Sequence, residues 1–128
     1  MSTAQTTRKT YNEEDICCRA LLAAIRAFMR ERGDMPAQYI QTFLLVATEP
    51  GLGVSEYALR AGVSKSVMSR HILDLGVRHR SGEPGLGLLY TKQNPMNLRA
   101  HEVFLTDKGV HMKSILNNAY RMVEPSKH

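Results

Sequence analysis

The residue types best suited to chemistry lie between positions 60 and 99. Ser64, Lys65, Ser66, Ser69 and Arg70 fall within seven positions, with Arg60 before them and Arg78, Arg80, Lys92 and Arg99 after. If residues 65–75 are helical, steps of about 100° place Ser64, Lys65, Ser66, Ser69, Arg70 and Leu73 on one outward face. At a helix start, hydroxyls and free backbone N–H groups hydrogen-bond phosphate, and an arginine can bond two acceptors on a guanine edge. The chemistry on offer is recognition of a polyanion, with Lys92 and Arg60 as phosphate contacts. Arg78 and Arg80 sit in a basic loop that either tracks a phosphate backbone or is simply solvated.

Other reactive types lack a context. Cys17 and Cys18 are adjacent. A thiol at a helix start beside Arg19 can have a depressed pKa and act as a redox sensor. The competing account is packing, because Cys17 lies on an apolar stripe and cysteine is usually buried. Side chains of neighbouring helical residues diverge by about 100°, so the two thiols do not readily bridge. His71, His79, His101, His111 and His128 show no metal-ligand spacing, so no metal is expected. His71 and His101 read as surface or phosphate-contacting groups. The pairs Gly51/Gly53 and Gly85/Gly87 lack the rest of a dinucleotide fingerprint and read as turns. No nucleophile–base arrangement stands out, and no cofactor or enzymatic activity is expected.

The elements that must position these residues follow from periodicity. Residues 1–12 lack an apolar pattern and read as a disordered arm. Glu13, Glu14 and Asp15 place acids at the positive end of a helix over 13–33, with Cys17, Leu21, Ala24, Ile25, Phe28 and Met29 as its apolar stripe and Gly33 as its stop. A second helix starts at Asp34-Met35-Pro36, carries Ile40, Phe43, Leu44 and Ala47, and ends at Pro50-Gly51. Ser55 is expected to cap a helix over 56–61. Ser64 is expected to cap another over 65–75. Ala58, a small residue four before Gly62, lets the second of these helices pack on the first. Tyr57, Ala61, Val63, Met68 and Ile72 supply the locking face. Residues 88–92 and 99–105 read as strands of a hairpin with a tip at 93–97. Thr106-Asp107 caps a last helix whose stripe is Met112, Ile115, Leu116, Ala119 and Val123.

The charge follows this layout. The chain has 128 residues, 17 Lys+Arg and 12 Asp+Glu, for a net charge of +5. Residues 1–53 carry six basic and six acidic groups, whereas residues 54–80 are net +3. A polyanion should therefore meet the region after residue 53. One domain over 13–128 accounts for the length. No apolar run is long enough for a membrane span, and the opening residues lack a secretory signal. A cytoplasmic, nucleoid-associated setting is expected.

Residues 52–73 (LGVSEYALRAGVSKSVMSRHIL), followed by residues 87–109 (GLLYTKQNPMNLRAHEVFLTDKG), resemble the MarR family of winged helix-turn-helix regulators. The Leu-Thr-Asp-Lys-Gly run at 105–109 is characteristic. The resemblance implies a mainly α fold with a small β-hairpin. It places the helix-turn-helix at 54–76, the wing at 87–105 and dimerisation helices at 13–33 and 106–123. It also implies a homodimeric repressor reading a palindrome in double-stranded DNA, with helix 65–75 in the major groove and a wing at 92–101 whose Arg99 enters the minor groove. The sequence departs from the family in three places. Asn97-Leu98-Arg99 stands where the family has Asp-Arg-Arg, leaving Asn97 to brace Arg99. The loop at 77–86 is longer than usual. One C-terminal helix is present where relatives have two, so dimerisation should pair helix 13–32 with helix 107–123.

Two alternatives stay open. One is a ligand- or oxidant-responsive sensor, since some relatives sense oxidants through an N-terminal cysteine; a small aromatic acid would bind in a helix-lined dimer cleft. The other is a winged-helix protein-interaction module without DNA binding, which calls for an apolar second helix and wing rather than Lys, Arg and Ser. Operator, effector, and repression versus activation are not encoded in any motif.

Overall fold

A computed structural model describes residues 12–78 and 82–123. The expected arm thus lies outside the described residues except for Asn12, as do His79, Arg80 and His128. The described elements are α1 (Glu13–Glu31), α2 (Ala37–Thr48), α3 (Val54–Ala61), α4 (Lys65–Leu75), β1 (Leu89–Asn94), β2 (Asn97–Leu105) and α5 (Asp107–Val123).

Local chemistry explains most boundaries. Asn12 belongs to the helix start rather than to the arm, because its Oδ1 accepts the Asp15 N–H at 2.8 Å. The Arg32 N–H closes α1 on the Phe28 carbonyl. Pro36, with φ of −64°, stands just before α2 rather than inside it. Ser55 is not the cap of α3. That helix begins earlier, with Gly53 at its cap and Glu56 Oε1 accepting the Gly53 N–H at 2.9 Å. Ser64 does cap α4, its Oγ accepting the Val67 N–H at 3.2 Å. Both strands run longer than periodicity predicts, so the turn between them shrinks to Pro95-Met96. The strands are antiparallel, with Leu89 opposite Leu105 and Gln93 opposite His101.

The core lies where the helices meet the hairpin. Phe28 of α1 meets Phe43 of α2 edge-on at 5.5 Å, and both are buried with Val46, Tyr57, Met68, Leu75, Leu88, Leu89, Val103 and Met112. Tyr57 is fully buried; its hydroxyl donates to the Glu49 carbonyl at 2.6 Å and accepts the Leu52 N–H at 3.1 Å. Burial pushes its pKa upward. These bonds hold the 49–53 turn against β2, whose Val103 carbonyl accepts the Gly51 N–H at 2.8 Å.

Two apolar stripes fall differently from their periodicity. In α2 the buried residues are Thr42, Phe43, Val46 and Ala47, while Leu44 is turned outward. In α1 only Ala27 and Phe28 are buried. Leu21, Ile25 and Met29 are 62%, 44% and 48% exposed, and Cys17 and Cys18 are exposed as well. α1 packs against α5, and of its expected stripe Phe28 enters the core while Cys17, Leu21, Ile25 and Met29 are left uncovered. No described helix is long and apolar enough to cross a membrane.

Candidate nucleic-acid interface

The turn between α3 and α4 is held by Gly62, whose φ of +71° admits few residues with a side chain. The Val63 N–H donates to the Ala58 carbonyl at 3.1 Å across it. Ala58, Tyr57, Met68 and Ile72 are buried between the helices and core, as their spacing predicts. That burial leaves Ser64, Lys65, Ser66, Ser69, Arg70 and Leu73 exposed on one face of α4. Ser64 Oγ also lies 3.3 Å from Ser66 Oγ, so the first turn carries linked hydroxyls.

Arg99 joins this surface. A cleft of about 510 Å³ lies between the start of α3 and β2 and reaches Lys65 at the start of α4; Ser55, Glu56, Lys65, Asn97, Arg99 and His101 line it. Arg99 and His101 alternate onto the hairpin face that looks toward α4. Asn97 braces the backbone at this point: its Oδ1 accepts the Arg99 N–H at 3.2 Å.

Other predicted contacts are placed elsewhere. Lys92 pairs in register with Glu102 on the opposite face of the hairpin. Arg60 lies on α3, where Nε and Nη2 meet the Glu49 carboxylate at 2.7 and 3.2 Å. Glu49 raises the Arg60 pKa further, chiefly through this hydrogen bonding. Arg78 is exposed beyond the end of α4, beside a second cavity. Arg80 lies outside the described residues.

His71 corrects an expectation. It is 8% exposed rather than on the surface, with Nδ1 3.5 Å from Thr42 Oγ1 and its ring tilted on Tyr39 at 5.2 Å. The reason is its position: 68, 71, 72 and 75 share the inner face of α4. Sequence reasoning also missed Tyr39 and Asp74. The Tyr39 hydroxyl donates to the buried Asp74 carboxylate, tying the end of α4 to α2. The available signal was Asp74 standing three residues after His71 on that same face.

The wing is fastened to α4 by backbone. The Leu86, Gly87 and Leu88 N–H groups donate to the Asp74, Gly76 and Leu75 carbonyls at 3.2, 2.7 and 2.8 Å. The Leu-Thr-Asp-Lys-Gly run then anchors α5 to this segment. Thr106 Oγ1 accepts the Gly109 N–H at 3.0 Å and donates to the Gly87 carbonyl at 2.6 Å. Lys108 Nζ donates to the Leu86 carbonyl and meets Glu31 of α1, both at 2.8 Å. One short run thereby ties the wing, α5 and α1 together.

A turn-linked helix pair with an exposed cationic second helix, closed by a hairpin and flanked by contacting N- and C-terminal helices, is a winged helix-turn-helix. Its structural neighbours, across most of the chain, are MarR-family transcriptional regulators. A MarR-like regulator from Thermotoga maritima is 19% identical with a TM-score of 0.59, covering 89% of this chain and 79% of that one. The PcaV regulator of Streptomyces coelicolor, solved with its natural ligand, is 20% identical with a TM-score of 0.52, covering 96% and 79%. The transcriptional repressor CouR, bound to a 23-mer DNA duplex, is 25% identical with a TM-score of 0.51, covering 88% and 72%. No family model and no curated protein matches the chain. The neighbours are regulators rather than enzymes.

Proposed function

We propose that this protein is a homodimeric, sequence-specific DNA-binding repressor. The observation that carries the reading is the exposed row Ser64, Lys65, Ser66, Ser69 and Arg70, with Arg99 sharing a cleft with Lys65 at the start of α4. The binding of duplex DNA by the neighbour CouR supports it. α4 enters the major groove with its first turn at the phosphates, and Arg70 reads a base edge. Arg99 enters the adjacent minor groove, while Lys92, Arg60 and Arg78 lie near the backbone. Two-fold pairing of the chain presents two α4 helices to a palindrome. The protein acts in the cytoplasm on the nucleoid.

Selection of bound duplexes from a random pool, followed by salt titration, tests this reading. A palindromic consensus with affinity falling steeply in salt is expected; absence of binding to any duplex sinks it. Arg70→Ala is expected to lose about 1–3 kcal/mol on the selected site and to relax preference at one position, with little change on random DNA. Equal losses on both would make Arg70 a phosphate contact instead.

A second reading, release by a small aromatic acid, is favoured by a cavity of about 570 Å³ between α4 and the wing. Leu73, Val77 and Tyr90 supply apolar walls, and Arg78 a cation for a carboxylate. The bound ligand of PcaV supports this reading by analogy. An acid seated there would compete with DNA for the same side of α4. Phenolic acids are expected to raise the thermal midpoint and weaken operator binding together. A stabilisation that leaves operator affinity unchanged would contradict release.

A further inference from the structure

The tip of the hairpin combines features that phosphate contact does not require. Met96, at the apex, is 92% exposed, and Leu98 two residues later is 64% exposed. They project from a braced turn. The Met96 N–H donates to Asn94 Oδ1 at 2.8 Å, and Gln93 Nε2 donates to the Leu98 carbonyl at 2.6 Å. With Pro95 fixing φ beside them, the apolar side chains are presented on a preorganised loop. Arg99 lies three residues from the apex, while Lys92 stands opposite Glu102, whose carboxylate accepts the Asn94 amide N–H at 3.1 Å.

An apolar apex with an exposed arginine, Arg99, beside it fits a surface that is anionic outside and apolar within. The minor groove of duplex DNA is such a surface, because phosphates line it and the stacked bases lie at its floor. Leucine and methionine are side-chain types that enter base steps there and unstack them, kinking the duplex toward the major groove. Strand alternation puts Arg99 on the face toward α4 and Leu98 on the other, so the groove walls would receive a cation and an apolar group from one insertion.

We propose that Met96, backed by Leu98, wedges into a base step in the minor groove and kinks the bound DNA. The proposal rests on the duplex-DNA reading above and adds a mode of recognition to it. Pyrimidine–purine steps unstack most readily, so TA or CA/TG is expected where the wing falls, without any hydrogen bond to those bases.

The test uses the full chain and the duplex selected from the random pool, with 2-aminopurine beside the step under the wing and a dye pair at the duplex ends. Binding is expected to raise the 2-aminopurine fluorescence and shorten the end-to-end distance. Met96→Ser with Leu98→Ser should abolish both changes and weaken the site about tenfold, with the salt slope and the thermal midpoint kept. Arg99→Ala should lower the slope by about one unit. Tight binding without unstacking or bending would overturn the wedge and leave the DNA reading intact. A wild-type chain that binds no duplex would overturn both. Loss of binding to anionic vesicles in the double variant, with DNA bending unchanged, would assign the tip to a lipid surface.

Discussion

Gly109→Ala is expected to destabilise the protein by about 2 kcal/mol net, lowering the thermal midpoint by roughly 10 °C. A Cβ at position 109 would stand 2.2 Å from the Leu88 carbonyl oxygen, 3.3 Å from its carbon and 3.1 Å from Leu105 Cβ. The carbonyl cannot simply rotate away, because it accepts the Thr106 N–H at 3.0 Å. Two effects oppose each other. Alanine favours a helix over glycine by about 1 kcal/mol. Overpacking against fixed backbone costs about 3 kcal/mol, and it wins. Relief requires α5 to shift, which disturbs Met112, Ile115 and Leu116 where they meet the core. Gly33→Ala is the control, since nothing lies within 4 Å of a Cβ there. Thermal melts of the two variants decide the matter. A Gly109→Ala protein as stable as wild type would show that α5 does not approach Leu88 this closely.

The second large effect concerns assembly. Leu21→Asp combined with Ile25→Asp is expected to yield a monomer and to weaken palindrome binding by on the order of 10²–10⁴-fold. Both residues are exposed on α1, next to the exposed Leu22 and Met29. A row of large aliphatic side chains on a helix gains little by facing water; covering it with a second copy of the chain would remove that area from solvent. Two linked recognition helices bind a palindrome as one event followed by an intramolecular one, and the monomer forfeits the second. Because Leu21 and Ile25 lie outside the buried core, the fold should survive the change, and a half-site should be bound nearly as before. Sedimentation and titration on full and half sites check both parts. A chain that stays dimeric would place the interface elsewhere.

These two expectations differ in how far they can be read from the chain. The helix-turn-helix was legible because its demands are local: Ala58, Gly62 and Ser64 act within a few residues of one another, and the outward row on α4 follows from the helical period. The hairpin was legible in kind but short in extent. Alternation marks where a strand is half-buried, while the exposed ends of β1 and β2 are extended by pairing with each other rather than by their own pattern.

His71 shows the opposite case. Its step from Met68 and to Ile72 and Leu75 marked the inner face, yet its polarity suggested the surface. Thr42 and Tyr39, some thirty residues earlier, provide the polar setting that makes burial tolerable. Arg60 and Lys92 were read as cations with a common purpose, and the fold gives them different neighbours. Glu49 takes the Nε–Nη2 edge of Arg60, and Glu102 stands opposite Lys92.

Composition and spacing alone determined that this is a basic, mainly helical chain in which a row of serines and cations follows a capped turn. Those features rest on local hydrogen bonds, backbone sterics and the helical period, all carried by neighbours in the chain. Only the tertiary structure decided which cations share a surface, which histidine is buried, why Gly109 must be glycine and which side of α1 is left exposed. Each of these depends on the approach of segments far apart in sequence, where a carbonyl, a carboxylate or a ring occupies space that no short-range pattern records.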